Sequence, residues 1–323
     1  MKLKVASLFS GCGGMDLGIQ GGFDYLGTSY QLNPVELVFA SDIDPYAVSI
    51  YNDNFSHQAI CGDIRELKTT IPPHDILIGG FPCQSFSIVA QNPPRLGYEN
   101  DTGKLFFEMV DVLKQHRPKA FIAENVKGLL SANKKQAFPL ILKTFEEAGY
   151  FCKFVLQNAV ELGVPQKRER VFIVGFKDKK HMESFNFPVS VPEGDKKILN
   201  DILIPESKIP EKYYFSEKAV LGMMKNREKM NKGRSQNPQE PCNTISAHLS
   251  KASLNSVDPV MCLNGKYRRF LPLEAARIQS FPESFRFQVS DTRAFKAIGN
   301  AVPPVMMWHI SKNVIDVINN NSL

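Results

Sequence analysis

No Cys-x-x-C pair occurs among the six cysteines, Cys12, Cys61, Cys83, Cys152, Cys242 and Cys262, which are scattered along the chain. Zinc and disulfide frameworks are therefore not expected, and a reducing cytoplasm is. No apolar stretch approaches the roughly 18–20 residues of a membrane span. Met1-Lys2-Leu3-Lys4 leads straight into an apolar strand, without the h-region of a signal peptide. Internal repeats and low-complexity tracts are also lacking. The glycine-rich stretch Gly11-Cys12-Gly13-Gly14 is followed by Asp16 where a dinucleotide fingerprint needs glycine, and it has no Lys-Ser/Thr partner for a triphosphate. These gaps leave a globular chain with a glycine loop suited to a nucleoside ligand without phosphate, or a plain strand-to-helix turn.

What is present has ordinary globular composition: 323 residues, 43% hydrophobic and 22% charged. That length suits one large domain plus a smaller one. The net charge of +6 is compatible with a nucleic-acid partner, and two basic clusters stand out. One holds Lys225, Arg227, Lys229, Lys232 and Arg234; the other holds Lys167, Arg168 and Arg170. Each reads equally as a solvated face or as a phosphate-binding surface.

In the first half, short apolar strands alternate with amphipathic helical stretches. Val5 to Phe9, Glu36 to Ala40, Asp75 to Ile78, Ala120 to Ala123 and Val171 to Gly175 read as buried strands. Met15 to Ile19 can open a helix, and Thr102 to His116 reads as one, with Leu105, Phe106, Met109, Val110 and Leu113 at helical spacing. This alternation predicts an α/β, doubly wound, largely parallel sheet. From about Phe185 to Pro259 periodicity fades, and it returns in the helical stretches Leu273 to Gln279 and Val305 to Ile318.

Strand ends carry the chemistry. Phe9 to Gly14 follows the first strand, Ser41-Asp42-Ile43-Asp44 ends the second, and Cys61-Gly62-Asp63-Ile64 ends the third. Singly, each acid reads as a turn residue. Together, Gly-rich, acidic and acidic strand ends describe an adenosine pocket, with Asp42 facing ribose hydroxyls, Ile43 an adenine face and Asp63 the adenine amine. Gly79-Gly80 is read as breaking the fourth strand, with Pro82 holding Cys83 at its end. Taken alone, Cys83 reads as a buried structural thiol. Glu124 lies beside the next strand, where burial can raise a carboxyl pKa and equip it to deliver a proton. On an extended chain Gln166, Arg168 and Arg170 share one face.

An ordered set of motifs closes the reading: Phe9 to Gly14, Gly79 to Ser87 around Pro82-Cys83-Gln84, Glu124-Asn125-Val126, Gln166 to Arg170, Glu274 to Pro282, and Gly299 to Pro304. With them the chain strongly resembles the DNA (cytosine-5) methyltransferase family over nearly its whole length. The resemblance implies a Rossmann-like S-adenosylmethionine-dependent domain at residues 1–184 plus 291–323. A small, irregular target-recognition domain is implied at 185–290.

By resemblance, Cys83 is the nucleophile at cytosine C6, Glu124 contacts N3 and the exocyclic amine, and Arg170 holds O2. Arg168 lies close to the reacting pair or its phosphate. Phe9, Ser10, Gly11, Cys12, Gly14, Asp42, Ile43, Asp63, Ile64, Gly80, Pro82, Leu105, Asn300, Ala301 and Val302 surround S-adenosylmethionine, whose product is S-adenosylhomocysteine. Residues 84–100 resemble a loop closing over flipped-out DNA, with Gln84 and Ser87 facing the duplex. Thr244, within Pro241 to Ile245, resembles an element near the vacated base position. Lys225 and Arg227 gain a phosphate-binding reading. The resemblance implies a double-stranded DNA partner, no metal, a monomer, and the compact bacterial or phage form often paired with a restriction endonuclease.

Two departures from the family pattern occur. Residues 269–274 lack the Thr and the Arg that family members often carry just before the glutamate, here Glu274, and Ile43 replaces an aromatic that some members have. A tRNA methyltransferase of the same superfamily is the nearest alternative, but its Cys-Phe-Thr signature is absent. An adenosine-binding module or oxidoreductase leaves Cys83, Glu124 and Arg170 unexplained.

Overall fold

The computed structural model describes residues 2–82, 105–225, 235–251 and 258–320. Seven strands form the main sheet: β1 (Leu3–Leu8), β2 (Val35–Asp42), β3 (Ile60–Cys61), β4 (Ile76–Gly80), β5 (Ala120–Val126), β6 (Phe151–Asn158) and β7 (Glu169–Phe176). Their order across the sheet is β3-β2-β1-β4-β5-β7-β6. The first five run parallel, and β7 is antiparallel to both β5 and β6. The order reverses at β1, whose neighbours are β2 and β4. Open α/β sheets of this kind bind ligands at such a switch point, outside the carboxyl ends of the strands.

Two apolar layers cover the sheet. Helices α1 (Gly14–Gln20) and α6 (Pro304–Asn320) pack on one face, where Ile19, Val305, Met306 and Ile310 meet Val5, Ile78 and Ile122. Helices α3 (Leu105–His116) and α4 (Ala137–Glu147) pack on the other, and Phe145 stacks 4.4 Å from Phe121 of β5. Burial on both faces explains why β1, β4 and β5 read as continuous apolar runs instead of alternating. The doubly wound expectation holds.

Gly79 and Gly80 do not break β4 before its end, contrary to the sequence reading, but are its last two paired residues. Gly79 pairs with Leu8 and Ala123, and Gly80 pairs with Glu124. A Cβ on Gly79 would lie 3.1 Å from the Leu8 carbonyl oxygen, and one on Gly80 would lie 3.1 Å from Oε2 of Glu124. The glycines permit close approach; they are not breakers.

The irregular stretch after Phe185 holds isolated helical turns, a helix at Glu217–Lys225 and a three-stranded sheet of Ser235–Gln236, Val260–Leu263 and Lys266–Arg268. A third apolar cluster joins Leu199, Ile245, Phe270 and Ile278 to Phe295 and Ile298 of α5 (Asp291–Asn300) and to Cys12. This core therefore runs across residue 290.

Beside it, Arg268 and Glu274 form a buried ion pair, Nη1 to Oε2 at 2.7 Å and Nη2 to Oε1 at 2.8 Å. Glu274 also accepts the backbone N–H groups of Leu271 and Ile204. Breaking one half of such a pair leaves an uncompensated buried charge. Arg268→Met is expected to cost about 3–5 kcal/mol, read from the urea midpoint. A loss under about 1 kcal/mol would show that the pair adds little to stability.

Candidate active site and cofactor cavity

Where β1, β2 and β3 end, the chain turns over a cavity of about 740 Å³. The loop after β1 is held down by hydrogen bonds from Ser10 N to Ser41 O (3.0 Å) and from Gly13 N to Ser10 O (2.9 Å). Phe9 takes φ +55°, unusual for a bulky side chain, and Gly11 takes φ +56°. A Cβ on Gly11 would meet nothing within 4 Å, so the loop turns bare backbone toward open space. The Ser10 hydroxyl is buried without a hydrogen-bond partner among the described residues.

Asp42 ends β2 and ties two loops together. Its Oδ2 accepts Gly11 N–H and its Oδ1 accepts Asp44 N–H, each at 2.8 Å. Burial raises its pKa while those N–H groups oppose the rise. Asp63 accepts Arg65 N–H at 2.9 Å and pairs with the Arg65 guanidinium, whose hydrogen bond lowers the carboxyl pKa. Cys12 points away from reactivity: it is buried, and burial pushes its thiol up to about 12.

All fifteen residues expected around the cofactor line this one cavity. They come from segments as distant as Phe9 and Val302, and Glu124 joins them. The sequence reading missed a rim. Asp44 and Tyr46, at the start of α2 (Pro45–Asn54), face Lys296 and Arg293 of α5. Lys296 Nζ lies 2.6 Å from Asp44, and the Arg293 guanidinium stacks 3.9 Å above the Tyr46 ring. The available signal was the i, i+3 spacing of Arg293 and Lys296 on a helix that had not been assigned.

At the adjoining end of β5, Glu124 Oε1 lies 2.9 Å from Arg170 Nε. Antiparallel register explains the meeting. Phe172 pairs with Glu124, so Arg170, two residues before Phe172, is its diagonal neighbour on the same face. Burial raises the Glu124 pKa, against the charges of Arg170 and Arg168 and the Arg170 hydrogen bond. Next to Glu124, Asn125 Nδ2 donates to the Phe81 carbonyl at 2.9 Å, fixing the segment that leads through Pro82 toward Cys83.

Residues 3–316 match the pattern of the C-5 cytosine-specific DNA methylase family. The chain belongs to that family. Among its relatives, the Type II methyltransferase M1.ScrFI of Lactococcus lactis subsp. cremoris is 37% identical over 98% of this chain and 79% of its own length. The Type II methyltransferase M.FnuDI of Fusobacterium nucleatum is 34% identical, over 98% of this chain and 95% of its own length. Two solved structures share the fold. EhMeth of Entamoeba histolytica has a TM-score of 0.73 at 16% identity, covering 98% of this chain and 99% of that one. A DNMT2 variant of Spodoptera frugiperda has a TM-score of 0.74 at 19% identity, covering 97% and 99%.

Within this cytosine-specific DNA methylase, Arg168 is buried. Its side chain is 2% exposed, and Nη1 donates to Ile245 O (3.1 Å) while Nη2 donates to Gly299 O (2.9 Å) and Ala301 O (3.0 Å). That guanidinium makes its hydrogen bonds to three carbonyls of the protein itself, while its charge still acts on Glu124 and Arg170. Gln166 is also buried and Arg170 half-buried. Thr244 is exposed, and its hydroxyl donates to Lys167 O at 2.7 Å. Cys83, Gln84, Ser87 and the segment 84–100 lie outside the described residues, as does Arg227; only the backbone of Lys225 lies within them.

Proposed function

We propose that this protein is a DNA (cytosine-5-)-methyltransferase of a restriction–modification type. It acts in the cytoplasm on a cytosine flipped out of double-stranded DNA. The observation that carries this reading is the junction of two sites. One cavity collects the fifteen expected cofactor residues, and its wall includes Glu124, ion-paired with Arg170, and Pro82, the residue before Cys83.

The cavity suits S-adenosylmethionine. Its volume falls in the usual range for small-ligand sites. The bare backbone at Gly11 admits close approach. The unpartnered Ser10 hydroxyl and the Asp42 carboxylate offer polar contacts, and Phe9, Ile64, Leu105 and Val302 supply apolar walls. Once bound there, S-adenosylmethionine supplies an electrophilic methyl group on a sulfonium.

The chain's own residues prepare the acceptor. Cytosine C5 is too weak a nucleophile unaided, so the Cys83 thiolate adds to C6 and makes C5 enamine-like. Glu124, held by Arg170, donates to N3 as negative charge develops on the ring. Arg170 steadies the base at O2. After methylation a base removes the C5 proton, and the electron pair left behind expels Cys83 as thiolate. The reacting atoms lie inside a stacked duplex, which requires base flipping.

Methyl transfer from tritiated S-adenosylmethionine to duplex DNA, to tRNA and to buffer alone tests the proposal. Label entering DNA at cytosine C5 supports it, and bisulfite sequencing then gives the site. Label entering tRNA alone overturns it.

Asp42 gives a separate expectation for the cofactor end. Asp42→Ala removes a charge-assisted acceptor and is expected to weaken cofactor binding by about 1.5–3 kcal/mol. Turnover at saturating cofactor should be nearly preserved. Unchanged affinity by calorimetry removes Asp42 from the contact set.

A further inference from the structure

Arg168 is one member of a closed ring of buried polar bonds. Gln166, two residues earlier, accepts Ile245 N–H on Oε1 at 3.1 Å. Its amide donates to Gln279 Oε1 (2.6 Å) and to Ile278 O (3.2 Å). Gln279 in turn donates to Ala301 O, which also accepts from Arg168. Gln166 and Gln279 are fully buried. Residues 242–243 pair as a short parallel ladder with 166–167.

At the same junction, a Cβ on Gly299 would lie 2.3 Å from the Ser246 carbonyl. The two backbones are therefore in direct contact. The ring thus joins three pieces: the 166–168 segment, the 244–246 segment with exposed Thr244 at its edge, and residues 299–301.

The third piece matters because Asn300, Ala301 and Val302 are a wall of the cofactor cavity. Arg168 touches neither the cavity nor the exposed recognition surface, yet its two terminal nitrogens bond to both supporting segments. Among the described residues no carboxylate lies within ion-pair distance of it, although the charge of Glu124 acts on it, and its Nε is buried without a partner. Burying a cation whose hydrogen bonds go to carbonyls is costly. That cost is understandable only if the fork geometry does something a smaller or apolar side chain would not. Arginine can reach three carbonyls on two segments at fixed angles, whereas a lysine ammonium is a point charge on a flexible stem.

We propose that Arg168 is a positioning residue that couples the 244–246 segment to the 299–302 cavity wall, so that DNA and cofactor bind cooperatively. The proposal rests on the function proposed above. Seating DNA at Thr244 fixes Ile245 O, and through Arg168 and Gln279 fixes Ala301 O. By linkage, cofactor tightens DNA binding by the same factor.

The test uses the full chain with S-adenosylhomocysteine and unmethylated mixed-sequence duplex DNA as probes. Calorimetry measures cofactor-analogue affinity with and without DNA, and DNA affinity is measured across a salt series. In wild type, DNA is expected to tighten S-adenosylhomocysteine binding by about 5–150-fold, the usual span of such couplings. Arg168→Lys should bring that factor to within about twofold of one while leaving the slope of log affinity against log salt unchanged. If Arg168→Lys does not fold, Gln279→Met, which cuts the same ring at Ala301, must show the same loss.

Coupling retained in either folded variant overturns the proposal. A salt slope flattened by about one unit also overturns it, because that is the mark of a lost phosphate contact. Wild type that binds both probes independently overturns the coupling alone. Wild type that binds neither overturns the reading of function as well.

Discussion

Replacing Cys83 by serine is expected to abolish methyl transfer while leaving S-adenosylhomocysteine affinity unchanged. The reason is chemical. A thiol near its usual pKa of about 8.5 supplies some thiolate at neutral pH, whereas an alcohol supplies almost no alkoxide. The cavity residues on either side of this position, Pro82 and Leu105, belong to segments with anchors of their own. Asn125 holds the Phe81 carbonyl, and α3 packs through Phe106 and Met109. The serine variant should therefore fold and bind. Duplexes carrying 5-fluorocytosine give the matching positive result, a covalent complex with wild type, since fluorine does not leave as a proton does. Substantial turnover by the serine variant would sink the assignment.

Glu124→Gln should lower methyl transfer by about 10²–10⁴-fold, the usual scale for a positioned acid or base. The substitution isolates the proton. A glutamine Oε1 can still accept the Arg170 Nε–H, so the 2.9 Å contact and the diagonal packing across β5 and β7 have no reason to change. What disappears is a carboxyl whose pKa burial has raised, and which therefore holds its proton to higher pH than an exposed glutamate would. Duplex affinity measured alongside should move little. Parallel loss of binding and turnover would assign Glu124 a structural role.

Fold class and cavity were legible because they depend on local signals. Apolar runs marked β1, β2, β4, β5 and β7, and glycine or acid at their ends marked the loops that converge on the cavity. Strand β6 was not legible. It is an edge strand with Phe151 and Phe154 about half exposed, so its apolar residues neither alternate cleanly nor run continuously. Helix α5 was missed for a related reason. Its buried face, Ala294, Phe295 and Ile298, packs on the irregular segment and not on the sheet.

Arg168 shows a different limit. A basic residue two positions from Arg170 reads as a second contact for the same ligand. Only tertiary placement reveals that its acceptors are carbonyls from residues 245, 299 and 301. Gly79 and Gly80 mislead in the same way. Their sequence says turn, while the requirement is clearance from Leu8 and from the Glu124 carboxylate across the sheet.

The cavity is lined by residues made early in the chain, from Phe9 to Arg65, by others between Gly80 and Val126, and by a last group made late, from Arg293 to Val302. During synthesis the early residues leave the ribosome while the last group has not yet been made. The Ser10–Gly14 loop can already dock on Ser41 and Asp42, but the packing of Gly14 and Gly18 against residues 301–307 waits until that segment emerges. Such long-range closure is slow compared with helix or hairpin formation. A polypeptide released prematurely, before residue 300, would therefore carry Cys83 and Glu124 but no completed cavity.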